Sequence, residues 1–295
     1  MTDHSAKTFI VTGANTGVGL ETARGLARAG ARVLLTVRSA KKGEAALDEL
    51  RRDTGSDKLS FVILDLGSFG SIETASEKLS ERCDRIDGLI NNAGLGAASE
   101  GRTEDGLPLV MGVNYIGPFL LTRRLLPRLL ETARQEGQAR VVNVSSLAHR
   151  FARRFDPENL LPDPRPRARD AYSESKLANL LHARELARRH GGEGLHAHAV
   201  HPGFVASDFG RAEHFPGPWQ LVFKATRPLQ ISPAKGARPS LHAALSEEAG
   251  RTNGLYWTKA TPSDPYLPED AETVQARLWA ETEALIEAER GSASA

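Results

Sequence analysis

Residues 8–19 read TFIVTGANTGVG, a short apolar run that leads directly into a glycine-rich segment. Apolar side chains then recur at helical spacing, at Val18, Ala23, Leu26 and Ala27. The stretch therefore predicts a strand, a tight turn and a helix. In such a turn Gly13 permits the change of direction, Gly17 lets the backbone approach a phosphate, and Gly19 lets the helix pack closely on the strand. The free N–H groups at the helix N-terminus favour a pyrophosphate, and an ordinary glycine-rich turn is the alternative.

The same alternation of apolar runs and helical patterns continues along the chain. Strands are predicted at 8–11, 32–37, 59–64, 86–90, 140–144, 195–200 and 255–257. Helices are predicted at 18–29, 40–53, 68–83, 107–135, 171–190, 233–247 and 269–290. Continuously apolar strands joined by helices indicate an α/β fold, a doubly wound parallel sheet of about seven strands with helices on both faces.

Residues 1–295 are predicted to form a single domain, because no linker rich in Gly, Ser or Pro divides the chain. Two stretches, 147–170 and 204–232, lack clear periodicity and each follows a strand. Ligands of open α/β sheets bind beyond the carboxyl ends of the strands. We therefore expect an insert at 147–170 and a substrate lid at 204–232, with plain surface loops as the alternative.

Composition limits the partners of the chain. It has 38 Lys and Arg against 37 Asp and Glu, a net charge of +1, without the basic excess that a nucleic-acid partner normally requires. There is no run of about 18 apolar residues to span a membrane, and the N-terminus lacks the apolar core of a signal peptide. The single cysteine, Cys83, can form no internal disulfide. These features predict a cytoplasmic protein with no nucleic-acid partner and no membrane span.

No metal site is predicted either. His149 and His201 have no second His or acid at metal-ligand spacing. We expect both to make local hydrogen bonds instead.

Six motifs in order carry a family resemblance. The glycine-rich segment has the form TGxxxGxG, and five further elements follow: Asn91-Asn92-Ala93-Gly94, Asn114 within GVNYIGPF, Ser145-Ser146, Tyr172-x-x-x-Lys176 and His201-Pro202-Gly203. Together they resemble the short-chain dehydrogenase/reductase superfamily from end to end. FIVTGANTGVGLETARGLA, VVNVSSLAH and AYSESKLANLL look like its retinol-dehydrogenase-like branch, which includes relatives of WW-domain oxidoreductase. Many animal members of that branch carry an N-terminal membrane anchor, which we do not expect here.

The resemblance implies a Rossmann fold that binds a nicotinamide cofactor. The phosphates would lie on the glycine turn, formed by Gly13, Asn15, Thr16, Gly17, Val18 and Gly19. Asp65 and Leu66 match the family position near the adenine, and Asn92, Ala93 and Gly94 would pass under the adenosine ribose. Asn92 could instead cap backbone groups and fix the sheet. Near the nicotinamide the resemblance implies Pro202, Gly203, the backbone of Val205 and the hydroxyl of Ser207.

The end of the second strand decides between the two nicotinamide cofactors. NAD-preferring relatives place an acidic residue there to bind the ribose 2′-OH, whereas this sequence has Val37 followed by Arg38. A guanidinium can pair with a 2′-phosphate in a bidentate manner, and Lys42 could add positive charge. The sequence therefore predicts NADP(H), with solvated surface side chains as the alternative for Arg38 and Lys42.

Tyr172 and Lys176 lie four residues apart on a predicted helix, so both side chains project from one face. The Lys176 ammonium and the positive nicotinamide are expected to depress the pKa of the phenol, which makes Tyr172 a general acid/base. By resemblance, Lys176 also holds the cofactor ribose and Ser146 polarises the substrate carbonyl. Ser145 would serve backbone packing, and a reversal of the two serine roles is the alternative.

Asn114 is expected to act through its backbone. Pro118, four residues later, has no N–H to bond the Asn114 carbonyl, and Gly117 tolerates the distortion. We expect a local kink that frees this carbonyl, which in the family holds a water of a proton relay near Lys176. A kink that serves packing alone is the alternative.

The sequence thus predicts an NADP(H)-dependent oxidoreductase that transfers hydride between the nicotinamide and a carbonyl or alcohol. Aromatic residues in the lid suggest an apolar or aromatic substrate: Phe204, Phe209, Phe215, Trp219 and Phe223. The arginines of the insert, at 150, 153, 154, 165, 167 and 169, form a solvated face or recognise an acidic substrate or partner. Other possible functions are C=C reduction, epimerisation, or NADP(H) sensing or scaffolding without turnover. Helices 107–135 and 171–190 could form a homodimer or tetramer.

Overall fold

Eight strands form one sheet in the computed structural model, which describes residues 4–96, 99–152, 155–157, 160, 168–205 and 230–293. The strands lie in the order β3-β2-β1-β4-β5-β6-β7-β8, parallel except for the β7–β8 pair. Their bounds are β1 Thr8–Thr12, β2 Arg32–Val37, β3 Leu59–Ile63, β4 Gly88–Asn91, β5 Ala139–Val144, β6 Leu195–His201, β7 Tyr256–Thr258 and β8 Thr261–Pro262.

The helices connect these strands. They are α1 Gly17–Arg28, α2 Ala40–Thr54, α3 Phe69–Arg82, α4 Leu109–Met111, α5 Gly117–Glu136, α6 Ala168–His190, α7 Pro233–Leu245, α8 Glu247–Gly250 and α9 Ala271–Ala293. A π-helical segment, Gly112–Ile116, joins α4 to α5, and a 3-10 turn, Leu147–Phe151, follows β5. A second 3-10 turn, Gly191–Glu193, precedes β6.

Alternate strand residues point into two apolar layers. In β1, Ile10 packs into the layer that contains α3, α5, α6 and α9. Its neighbours Phe9 and Val11 pack into the layer that contains α1, α2 and α7. All five residues of β1 are buried because helices cover both faces of the sheet, which is why this strand is apolar throughout rather than alternating.

The order of the strands creates the cleft for a ligand. After β3 the chain returns to the other side of β1, where β4 pairs with Phe9, Ile10 and Val11. The loops after β1 and β4 therefore leave the sheet side by side in opposite directions, and a crevice opens between them at the carboxyl edge.

The predicted fold class is confirmed, with differences in detail. An eighth strand of two residues, Thr261–Pro262, pairs antiparallel with β7 after a turn with positive φ at Lys259 and Ala260. Two residues carry too little pattern to predict a strand. The helix predicted at 107–135 is interrupted by the π-helical segment, where Pro118 lacks an N–H.

Cys83, at the end of α3, lies inside the larger apolar layer and is 1% exposed. Burial raises the pKa of its thiol. In the part of the chain that the structure describes, no helix is long and apolar enough to cross a membrane.

A buried hydrogen bond ties the C-terminal helix to the π-helical segment. The Tyr115 hydroxyl lies 2.8 Å from Thr282 Oγ1, and both residues are fully buried. Thr282 Oγ1 also donates to the Leu278 carbonyl at 2.6 Å, so the Tyr115 hydroxyl is the donor of the pair. α9 is thereby anchored next to Asn114.

We predict that Thr282→Val lowers the free energy of unfolding by about 1–3 kcal/mol, because it leaves the Tyr115 hydroxyl buried without an acceptor. Urea unfolding followed by circular dichroism measures the change. Tyr115→Phe added to Thr282→Val removes the orphaned hydroxyl and should recover part of the loss. A double variant that loses the sum of both single losses would contradict this interpretation.

Candidate active site

The glycine turn between β1 and α1 touches the segment that follows β4. Gly13 and Gly17 both have positive φ, +64° and +59°. A Cβ at Gly13 would lie 2.9 Å from the Ala93 Cα, and one at Gly19 would overlap the Asn92 side-chain amide. Since no side chain fits at these positions, glycine is what allows the two backbone segments to approach.

Thr12, the last residue of β1, holds this contact together. Its hydroxyl accepts from the N–H groups of Asn92 and Ala93, at 3.0 and 2.9 Å. The Asn92 amide in turn donates to the Thr12 carbonyl at 2.9 Å. Of the two roles considered for Asn92, its side chain performs the structural one.

The turn fits the phosphates of a dinucleotide. The N–H groups of Gly13 and Ala14 already bond the Thr36 carbonyl, at 3.1 and 3.4 Å. Thr16, the N-cap residue of α1, makes no side-chain hydrogen bond to its helix. The N–H groups of the first turn of α1 therefore receive no acceptor from the cap and can serve a phosphate.

Arg38 is the residue predicted to recognise a 2′-phosphate. It follows β2 directly, two residues beyond the Thr36 carbonyl that holds the glycine turn. Its side chain is exposed, as is that of Lys42 in the first turn of α2. Within the described ranges Arg38 forms no ion pair with an acidic side chain, so its charge can serve a phosphate.

The two residues predicted near the adenine differ in orientation. Asp65 is exposed after β3, and its Oδ1 accepts from the Gly67 N–H at 2.8 Å. Leu66 is 5% exposed and packs into the apolar layer with Phe69. Leu66 thus offers a ligand its backbone rather than its side chain.

The predicted catalytic residues come together at the ends of β5 and within α6. Tyr172 is hydrogen-bonded to the Ser146 hydroxyl, and the Lys176 Nζ lies 5.6 Å from the centre of the Tyr172 ring. Lys176 is 4% exposed and donates to the Val144 carbonyl at 3.0 Å.

The two serines have different partners. The Ser145 hydroxyl is buried and donates to the Lys176 carbonyl at 2.7 Å, which fixes α6 against β5. Ser146 is only partly buried, and its Oγ accepts from the Ala148 N–H at 3.2 Å. Ser146 is therefore the serine whose hydroxyl hydrogen remains available to Tyr172 or to a substrate oxygen.

Within the chain alone the pKa of Tyr172 is raised, whereas the prediction counted on both Lys176 and a positive nicotinamide to lower it. Burial raises the pKa of the phenol, and the hydrogen bond from Ser146 opposes that increase. Burial also lowers the pKa of Lys176 to about 8. The sequence pattern places Lys176 near Tyr172 correctly but cannot reveal how much water the fold removes from both. Within the chain itself the phenol keeps its proton at neutral pH.

Asn114 lies in the π-helical segment, where the kink was expected. Its carbonyl accepts from the Asn179 side chain at 2.9 Å, so it faces α6, one turn beyond Lys176. Its side chain holds both backbone groups of Leu95 and donates to the Ser175 hydroxyl at 3.1 Å. Sequence reasoning missed Asn179, whose only signal is its position three residues after Lys176.

The segment after β6 forms the other wall. Gly203 has a φ of +89°, and Val205 pairs with Ile231 in an isolated bridge. A Cβ at Gly236 of α7 would lie 2.6 Å from Val205 and 3.1 Å from Val18, so this wall meets the glycine turn across α7. Pro202 lies between His201 and Gly203 in the same wall.

Several predicted residues lie outside the described residues. They are Ser207, Phe209, Phe215, Trp219, Phe223 and the arginines at 153, 154, 165 and 167. Of the insert arginines, Arg150 donates to the Asp264 carbonyl at 3.0 Å. Across the described ranges, no three His, Cys, Asp or Glu side chains are grouped to hold a metal.

Comparisons with known proteins agree with this geometry. The family model described as short chain dehydrogenase matches residues 7–214. The chain belongs to the short-chain dehydrogenase family. Retinol dehydrogenase 12 of Mus musculus is 43% identical over 253 residues, which cover 85% of this chain and 77% of that protein. This similarity places the dehydrogenase in the retinol-dehydrogenase-like branch.

Two solved structures share the fold. An uncharacterised protein from Mycobacterium Paratuberculosis is 34% identical with a TM-score of 0.71, covering 95% of this chain and 93% of that one. The active-site complex of RhlG with NADP from Pseudomonas aeruginosa is 28% identical with a TM-score of 0.67, covering 88% and 97%.

We predict that Gly19→Ala weakens NADPH binding roughly tenfold or more, because its methyl group would push the Asn92 amide and the glycine turn apart. Fluorescence titration with NADPH measures the dissociation constant. Gly192→Ala is the matched control, since a Cβ there meets nothing within 4 Å. Unchanged binding by Gly19→Ala would show that the close approach is not needed for the cofactor.

Proposed function

We propose that the protein is an NADP(H)-dependent carbonyl reductase or alcohol dehydrogenase that acts on an apolar or aromatic small molecule. The observation that carries the proposal is the contact of Tyr172 with Ser146, with the Lys176 ammonium beside the same ring. This group stands at the carboxyl edge of the sheet, between the glycine turn and the wall formed by residues 202–205. A general acid (Tyr172), a hydrogen-bond donor (Ser146) and a cation (Lys176) therefore lie close together.

The residues of the chain perform the proton chemistry. When bound, the nicotinamide supplies the hydride that reaches the carbonyl carbon. Tyr172 donates its proton to the carbonyl oxygen, and the Ser146 hydroxyl hydrogen-bonds the same oxygen while charge develops on it. In the opposite direction Tyr172 accepts the proton of the alcohol. Burial raises the pKa of the phenol, so Tyr172 starts in the protonated form from which it can donate.

Lys176 has two uses in this scheme. Its ammonium lies beside the phenol ring, where a phenolate would stabilise the charged form of Lys176 and be stabilised by it. Its bond to the Val144 carbonyl fixes the ammonium at the carboxyl end of β5. We therefore assign Lys176 to hold the cofactor ribose and to support the phenolate that forms after proton transfer.

The choice of NADP(H) rests on Arg38. No acidic residue occupies positions 37 or 38, and the exposed Arg38 follows β2, whose Thr36 carbonyl bonds the glycine turn. A 2′-phosphate there would gain a charge-assisted bond, whereas a 2′-hydroxyl would find no acceptor carboxylate at these positions. The RhlG structure shows that a related protein binds NADP.

An apolar rim supports the proposed substrate class. Among the described residues, the large apolar side chains that are exposed are Ile63, Leu147, Phe151 and Phe204. All but Ile63 lie within five residues of Ser146 or next to Gly203. Exposed apolar surface concentrated at a catalytic edge is typical of a site for an apolar ligand.

Three further features of the protein remain predictions from the sequence. They are a single domain over residues 1–295, a cytoplasmic location and a homodimer or tetramer. Cell fractionation and light scattering would test the last two.

Tyr172→Phe should lower kcat for NADPH-dependent carbonyl reduction by roughly 10²–10⁴, because the general acid is removed. NADPH oxidation at 340 nm with a panel of aldehydes, ketones and quinones measures the rate. Tyr266→Phe, in the partly exposed segment after β8, is the control and should keep its rate. If NADPH binds tightly and no substrate in the panel is turned over by the unmodified enzyme, a sensor or scaffold is favoured.

Arg38→Leu should lower kcat/KM for NADPH roughly 10- to 100-fold and leave that for NADH nearly unchanged, because it deletes the charged partner of the 2′-phosphate. Steady-state kinetics with both cofactors measure the ratio. Arg52→Leu, an exposed arginine near the end of α2, removes the same charge away from the site. An equal loss with both cofactors would show that Arg38 does not read the 2′-phosphate.

A further inference from the structure

Two imidazoles hold the peptide bond that follows Ser146. The Ser146 carbonyl accepts from the His149 Nδ1 at 2.6 Å and from the His149 backbone N–H at 3.1 Å. On the other side of the same peptide, the Leu147 N–H donates to the His201 Nδ1 at 3.3 Å. The carbonyl and the N–H of the Ser146–Leu147 peptide are therefore both hydrogen-bonded to histidine side chains, which come from different parts of the chain.

The hydrogen bonds define the tautomer of each histidine. A carbonyl can only accept, so the His149 Nδ1 carries the proton, and its Nε2 accepts from the Tyr266 N–H at 3.1 Å. The His201 Nδ1 accepts, so its proton is on Nε2. Both rings are neutral, and burial lowers the pKa of each, that of His201 to about 4.

His149 itself cannot move freely. It is fully buried, and its ring meets the Tyr256 ring edge-on with centroids 5.1 Å apart. Its Nε2 contact reaches 117 residues along the chain to Tyr266, and the neighbouring Arg150 bonds Asp264 in the same segment. The 3-10 turn after Ser146 is therefore attached to the segment that follows β8.

The peptide plane controls where the Ser146 hydroxyl points. Ser146 Oγ accepts from the Ala148 N–H, which belongs to the next peptide along the chain. This bond occupies one of the two lone pairs of the hydroxyl and restricts the directions left to its hydrogen, which also interacts with Tyr172. Rotation of the Ser146–Leu147 peptide would displace the Ala148 N–H and remove this restriction.

We propose that His149 and His201 are positioning residues that fix the Ser146–Leu147 peptide and thereby aim the Ser146 hydroxyl at Tyr172 and the substrate oxygen. Neither histidine touches the reacting atoms. The inference rests on the proposed function, in which Ser146 hydrogen-bonds the substrate oxygen. It adds two residues to the site whose side chains act through the backbone of a third.

The test compares removal with conservative replacement. His201→Leu and His149→Leu should each lower kcat for carbonyl reduction roughly tenfold or more, because a misplaced catalytic group loses rate steeply, with the dissociation constant of NADPH nearly unchanged. His201→Asn offers an amide oxygen to the Leu147 N–H, and His149→Asn offers an amide N–H to the Ser146 carbonyl. Both should restore most of kcat. His196→Leu, at the far end of β6, removes a histidine bonded to the Thr252 carbonyl and should keep its rate.

The same histidine variants made in a Ser146→Ala protein distinguish a positioning role from a general loss of structure. If the histidines act through Ser146, adding His201→Leu to Ser146→Ala should cost almost nothing further in kcat. The same loss in both backgrounds, or wild-type kcat in the Leu variants, would overturn the proposal.

Titration of Tyr172 tests the positioning without turnover, so its outcome is distinct from failure of the proposed function. The phenolate absorbance of each protein is compared with that of its Tyr172→Phe counterpart. His201→Leu should raise the pKa of Tyr172, because the bond from Ser146 lowers it. Burial also raises the pKa of Tyr115 and Tyr256, and subtraction of the Tyr172→Phe curve removes their absorbance from the comparison. An unchanged Tyr172 titration would contradict the positioning role.

Discussion

The structure depends on the close approach of two backbone segments, the glycine turn after β1 and the residues after β4. No side chain fits between Gly13 and Ala93 or between Gly19 and Asn92, and Thr12 bonds the two segments from below. Because they leave adjacent strands in opposite directions, this contact closes the floor of the crevice. The first-turn N–H groups of α1 and the carboxyl ends of β4 and β5 then share one edge, where the proposed cofactor and substrate would meet.

The catalytic group is organised through main-chain contacts more than through direct contacts between side chains. Lys176 binds the Val144 carbonyl, Ser145 binds the Lys176 carbonyl, and Asn179 binds the Asn114 carbonyl. Each bond joins two elements rather than two neighbours. These hydrogen bonds fix the distances between the site residues before any ligand binds. Such preorganisation is what stabilises the charge that develops in a transition state. The cost is burial, which raises the pKa of Tyr172 and lowers that of Lys176.

The site features that the sequence predicts are local ones. The glycine turn, the four-residue spacing of Tyr172 and Lys176, and the distortion before Pro118 all arise within a few residues. The contacts that were missed join distant positions, such as Asn179 to Asn114 and His149 to Tyr266, separated by 65 and 117 residues. A single sequence does not encode such distances in a readable pattern. The effect of burial on the pKa of Tyr172 was missed for a related reason, because desolvation depends on the whole fold around it.

The buried thiol of Cys83 has a practical consequence. It is the only cysteine of the chain, it lies 1% exposed inside an apolar layer, and burial raises the pKa of the thiol. A thiol reagent can therefore modify the native protein only when that layer opens. The rate of modification in the absence of denaturant reports how often this half of the molecule unfolds. The labelling rate of Cys83 therefore measures how often the native protein opens. A cysteine introduced on the surface would be labelled much faster than Cys83.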